Sequence, residues 1–167
     1  MSNIPLNEYA DTAVWRLITW SERYGDNPEQ VYERFLKYTV IALGWSLVGD
    51  LREWQPSSPE EIADRIRRID AYWNLRNASA GGRSLYSFFK VLNNGDLVIL
   101  VAKGKRKKVV EVTGSYCYKI DDILISEDLY HRRTIKKRDE INPDELWEQC
   151  GGVPSNTWVY DTLLKLR

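Results

Sequence analysis

The stretch from Asp96 to Ile141 constrains this chain most. It holds "DLVILVA" (96–102), "KKVVEVTG" (107–114), "YCYKI" (116–120) and "YHRRTIKKRDEI" (130–141), all rich in β-branched and aromatic residues. Such runs, separated by short turns, read as neighbouring antiparallel strands. "KGKRKK" joins the first two, so 96–114 is predicted to be a hairpin. Two earlier runs, "AVWRLITW" (13–20) and "TVIAL" (39–43), read as a separate first strand and a short second one.

Helix signals fill the space between. Asn27 is placed to cap a helix over 28–37, with Pro28 at its first position and Val31, Phe35 and Tyr38 on one face. Ser58, Pro59 and Glu61 form a capping box ahead of Ile62, Ile66, Ile69 and Trp73. "NASAGGR" (77–83) reads as a break, followed by a helix over 84–92 that "NNG" closes. Asn142 and Pro143 open a last short helix, which Gly151-Gly152 stops. The tail "TWVYDTLLKL" fits strand or helix. Phe35, Phe88, Phe89 and Trp73 are assigned to the core by their helical spacing. Helices that cluster early and strands that cluster late predict an α+β fold. The expected architecture is one domain over 1–167, with its core at about 13–150.

Several function classes lack their signatures. No apolar run approaches the roughly 20 residues of a membrane helix, and the N-terminus lacks the pattern of a signal peptide. Two cysteines without metal or disulfide spacing fit a cytoplasmic location. A single histidine, His131, speaks against a His-based metal site. There is no phosphate-cradling glycine loop, GxGxxG, HExxH or GxSxG. No enzyme and no cofactor is expected. The one enzymatic alternative is a magnesium-dependent nuclease using Asp96 and Glu111. Against it, Thr113 stands where such a pair expects a lysine.

Charge and aromatics point elsewhere. Net charge is zero, yet 101–138 holds eleven Lys/Arg against five Asp/Glu, and 139–167 two against six. Lys103, Lys105, Arg106, Lys107 and Lys108 crowd the hairpin tip, and Arg132, Arg133, Lys136, Lys137 and Arg138 follow along the last basic strand. Cations so placed suit nucleic-acid phosphates. They equally suit a solvated face that protects a sheet edge. Trp20 and Trp45 fall at the exits of the first two strands, and Tyr116, Tyr118 and Tyr130 near the turns of the late ones. Aromatic walls at strand ends can stack on a flat base, worth about 1–3 kcal/mol.

The ordered elements "VIALGWSLVGDL", "LYSFFKVLNNGDLVILVAKGKRKKVVEVTGSYCY" and "LYHRRTIKKRDEI" resemble the EVE domain of the PUA-like superfamily, over about residues 13–150. The chain departs from that pattern at "IKKR", where Lys137 replaces a family tryptophan. The resemblance implies a PUA-like, mostly antiparallel β-barrel with three or four flanking helices. EVE domains are similar to YTH domains, which hold a methylated base in an aromatic cage. They occur as N-terminal specificity modules of McrBC-like, modification-dependent restriction systems. By that resemblance Trp45 is one cage wall, with Tyr116, Tyr118 and Tyr130 as candidates for another. Trp20 and Ser21 match the loop that contacts the base edge. The implied function is recognition of a modified base, most readily in duplex DNA, by base flipping. A GTPase motor and a nuclease are the implied partners. A single-strand or RNA reader of YTH type is the second expectation.

Overall fold

The computed structural model describes residues 9–19, 27–74, 77–124, 128–155 and 161–167. Among these, the strands are β1 (Val14–Ile18), β2 (Val40–Leu43), β3 (Leu97–Ala102), β4 (Lys105–Val112), β5 (Cys117–Tyr118), β6 (His131–Lys137) and β7 (Leu163–Lys165). The α-helices are α1 (Pro28–Tyr38), α2 (Leu51–Trp54), α3 (Pro59–Arg68), α4 (Ala78–Tyr86) and α5 (Pro143–Gln149).

The predicted hairpin forms as β3 and β4. Its turn is only Lys103-Gly104, with φ of 50° and 73°. Positive φ at both positions matches the twist of the flanking strands. Lys105 to Lys108 therefore already belong to β4, with a bulge opposite Leu100/Val101. The sheet continues on both sides in the order β2-β6-β4-β3-β1-β7, with β5 also beside β6. β1 runs parallel to β3, and every other pairing is antiparallel. The result is an α+β fold built on a curled, mixed half-barrel. The ambiguous tail supplies β7, against β1, while 156–160 lie outside the described residues.

Alternation along β3 and β4 splits their side chains between two cores. Val98, Leu100, Val110 and Val112 join a large core with Trp15, Phe35, Ile41, Ile62, Ile66, Leu85 and Phe88. Leu97, Ile99 and Val109 face a smaller one with Val14, Ile141, Leu146 and Leu166. Successive side chains of a strand point to opposite faces, so a sheet covered on both sides, with α5 over the smaller core, produces this period of two.

The caps explain where the helices begin. Asn27 accepts from the Glu29 amide at 3.0 Å, and Asn142 from those of Asp144 and Glu145. Ser58 Oγ accepts from the Glu61 amide at 3.2 Å. The Glu61 carboxylate returns one residue further upstream than a capping box requires, to Ser57.

Three expectations need correcting. The described residues hold five α-helices, the short α2 among them, where three or four were expected. "NASAGGR" is not a break, because α4 starts at Ala78 and runs through both glycines into a π-helical turn over Ser87–Val91. Contact between α3 and α4 is the reason. A Cβ on Gly82 would stand 2.4 Å from the Pro59 carbonyl oxygen, and one on Gly81 2.7 Å from the Trp45 indole. The small residues that weaken a lone helix allow this one to pack closely. Trp73 is not in the core but 80% exposed. Helix α3 ends at Arg68, so the apolar stripe that included Trp73 does not extend that far.

Candidate functional site

The segment "GWSLVGDL" (44–51) leaves β2 and turns into a short 3-10 helix, Ser46–Val48. Trp45 precedes that helix with φ 64°, a left-handed conformation that disfavours a bulky side chain. Five side chains from other segments hold it there. The Asp128 carboxylate accepts from the amides of Trp45 and Ser46, both at 3.0 Å, and from Ser46 Oγ at 2.7 Å. Tyr72 Oη accepts from the Leu47 amide at 3.0 Å and donates to Asp128 at 3.2 Å. Tyr118 Oη donates to the Ser46 carbonyl at 2.7 Å. His131 and Tyr116 complete the set. Gly44 lies between the end of β2 and Trp45. A Cβ there would meet Asp128 Oδ2 at 2.7 Å, so this glycine makes room for the carboxylate.

His131 is fully buried at the start of β6. Its Nε2 lies 3.3 Å from the Trp45 carbonyl, which can only accept, so Nε2 carries the proton. Nδ1 then accepts from Tyr116 Oη at 2.6 Å, and that oxygen accepts from the Leu51 amide at 3.2 Å. Desolvation lowers the imidazole pKa to about 4, against weaker opposition from the Trp45 hydrogen bond and from Asp128 and Asp50. Burial likewise raises the Tyr116 phenol well above its ordinary value.

The sign of the linkage follows from this depressed basicity. Unfolded, His131 binds a proton below about pH 6.5, and folded only near pH 4. Its contribution is complete above pH 6.5 and is lost as pH falls from there to 4, to a total of about 3 kcal/mol. Because the chain has one histidine, its NMR imidazole resonance reports the effect directly. It should stay neutral through pH 6.5 and titrate only as the fold weakens. A midpoint near 6.5 in the folded protein would refute the assignment.

The aromatic candidates meet around this histidine. Trp45 is half-buried and lies edge-on to Tyr72, with ring centroids 5.0 Å apart. Tyr118 packs edge-on against Tyr130 at 6.0 Å and against His131 at 5.2 Å. Trp45, Tyr118 and Tyr130 are therefore brought to one end of the half-barrel, each partly accessible. Tyr116 does not fit the role of an open wall. It is 6% exposed, and its ring packs against Phe88, Phe89 and His131. Trp20 and Ser21 lie outside the described residues. Sequence reasoning missed Tyr72, Asp128 and Ser46. Tyr72 sat in a stretch read as helix, and nothing in the spacing of Asp128 links it to a segment over 80 residues away.

A family model described as a domain of unknown function, DUF8426, matches residues 18–150. The chain belongs to that family. No curated protein matches it. The DUF8426 match begins at the last residue of β1 and ends just past α5, so it contains every described residue of the site.

Within the DUF8426 region, the first two cations of β6, Arg132 and Arg133, are not on the outside as expected, whereas Lys136 and Lys137 are. Arg132 is 1% exposed and grips Asp121 through two hydrogen bonds of 2.8 and 2.5 Å. Its Nε donates to the Leu129 carbonyl, bracing the segment that carries Asp128 and Tyr130. Arg133 is 4% exposed and donates to the carbonyls of Phe88, Leu92 and Gly114 and to Asn94 Oδ1. Phe88 and Leu92 lie where the α4 helix ends, a place that favours a cation. Both guanidinium groups find their acceptors inside the fold.

The hairpin cations divide. Arg106 pairs with Asp144 and lies over the Trp147 ring. Lys107 pairs with Glu29, and Lys108 with Asp139. The acidic C-terminal stretch thus neutralises part of the basic one, which no linear count reveals. Lys103, Lys105 and Lys136 are exposed, and among the described residues they have no ion pair.

Asp96 and Glu111 do not converge. Glu111 is opposite Leu97, so its side chain shares that face, while Asp96, one residue away, turns to the other. Asp96 accepts from Trp15 Nε1 and the Asn93 amide, both at 3.0 Å, and Glu111 pairs with Arg138 at 2.5 Å. These two carboxylates cannot share one magnesium ion. Among the described residues no three acidic, histidine or cysteine side chains gather as a metal site. No helix among them is long and apolar enough to cross a membrane.

Proposed function

We propose that this chain reads a modified nucleobase, taken from duplex DNA by base flipping, within a PUA-like fold of EVE type. The observation that carries the reading is the placement of Trp45. Asp128 and Tyr72 fix its backbone in an unfavourable conformation, yet the residue stays only partly buried beside Tyr72, with Tyr118 hydrogen-bonded to the next residue. Strain maintained by so many partners is characteristic of a ligand clamp. Flipping costs a few kcal/mol. Stacking on Trp45 offsets it, and a methyl group adds about 0.8 kcal/mol if the seat is dry. In a restriction system such a reader would be the specificity module beside a GTPase motor and a nuclease.

The test is a panel of matched oligonucleotides that differ only in modification and strandedness. The wild type should prefer one modified duplex, and Trp45→Ala should reduce that preference about tenfold or more. Weak, salt-sensitive binding through Lys103, Lys105 and Lys136 should survive in the variant. Equal affinity of the wild type across the panel would sink the proposal. One observation favours the second reading, a single-strand or RNA reader. With Arg132 and Arg133 buried and three hairpin cations paired, the free positive charge is small for a duplex backbone. Preference for the modified single strand over the duplex would decide for it.

A further inference from the structure

Among the described residues, four large hydrophobic side chains are exposed: Leu47, Trp73, Val91 and Ile120. Isolated cases are ordinary on any protein. Three of these four, however, lie on the segments that build the site. The Leu47 amide donates to Tyr72 Oη at 3.0 Å. Trp73 directly follows Tyr72. Ile120 follows Lys119, whose amide donates to the Tyr130 carbonyl at 2.9 Å. Together they put exposed apolar side chains beside the aromatic cluster as an apolar rim, and the exposed cation Lys119 adjoins Ile120 in the chain. Cations beside apolar groups suit a nucleic acid, which presents phosphates around stacked bases.

Trp73 is the most exposed of the three, at 80%. The 3-10 turn Asp70–Tyr72 turns Tyr72 inward, 1% exposed, and leaves Trp73 pointing out. Its Cα is about 3.8 Å from that of Tyr72, whose ring centroid is 5.0 Å from that of Trp45. The geometry points to Trp73 as the wedge that enters the duplex when a base is drawn toward Trp45. This rests on the base-flipping reading above. A flipped base leaves a gap in which its neighbours lose stacking. An aromatic side chain inserted there restores part of it, and apolar wedges of this kind are a general means of unstacking a base step.

The wedge predicts a defect confined to duplex. Trp73→Ser should bind the modified duplex about tenfold or more weakly, while its affinity for the same base in a single strand changes less than about twofold. Its melting temperature should match wild type, because the side chain contributes little burial. A 2-aminopurine beside the modified base should brighten when wild type binds and brighten less with the variant. An unchanged duplex affinity overturns the wedge, as does an equal loss on both substrates. If Trp73→Ser instead dissociates a wild-type dimer and leaves duplex binding intact, the rim belongs to a second copy of the chain. No modified-base preference in the wild type removes the base-reading proposal itself, and the wedge with it.

Discussion

An Arg133→Met protein melts roughly 10 °C below wild type. Methionine keeps the length and much of the volume of the side chain, so the loss isolates the guanidinium. That group donates to Gly114 at 2.6 Å, Leu92 at 2.7 Å, Phe88 at 3.1 Å and Asn94 at 3.2 Å. Three of these acceptors are main-chain carbonyls, and a buried acceptor without a donor costs about 1–3 kcal/mol. Some of them will recruit water, so we expect a total of about 3–5 kcal/mol. Burial lowers the Arg133 pKa, opposed by Asp96 and Cys117. The site already disfavours a charge, and it is occupied because these oxygens need donors. Thermal melting and urea titration measure the loss. Had Arg133 been a phosphate contact, its replacement would leave melting unchanged and reduce the salt dependence of DNA binding. That pattern would refute its structural role.

Asp128→Ala destabilises the protein about as much and also disorders the site. The 3%-exposed carboxylate accepts from two amides, one serine hydroxyl and one phenol. Alanine leaves those donors buried, at about 1–3 kcal/mol each where water cannot reach. It also releases Trp45, whose left-handed backbone costs about 1–2 kcal/mol when nothing enforces it. Near-UV circular dichroism should therefore weaken as the Trp45–Tyr72 pair loosens. Asp128→Asn keeps one acceptor oxygen but turns an NH2 toward other donors, so it should fall between wild type and alanine. Gly44→Ala attacks the same contact from the other side, by placing a Cβ 2.7 Å from Oδ2. Native melting and an unchanged near-UV spectrum for Asp128→Ala would show that the network does not hold Trp45.

Local rules determined much of this protein. Asn27, Ser58 and Asn142 cap their helices because side-chain oxygens satisfy amides two or three residues away. The β3–β4 hairpin follows from period-two alternation and a turn that Lys103-Gly104 can adopt. The aromatics at the strand exits could be named as candidates, because strand ends are where a chain can expose a ring. Contacts between distant segments decided the rest. "NASAGGR" looks like a break alone and is helix only because α3 approaches closely enough to require glycine. Arg132 and Arg133 look like surface cations, yet one meets Asp121 and the other the end of α4. The charge blocks on either side of Arg138 look like a field but in part form pairs, such as Arg106–Asp144 and Lys108–Asp139. Asp128 reaches Trp45 across 83 residues. Spacing along a chain encodes which residues share a helix face or a strand side. It does not encode which buried donor will find which acceptor once the sheet has curled.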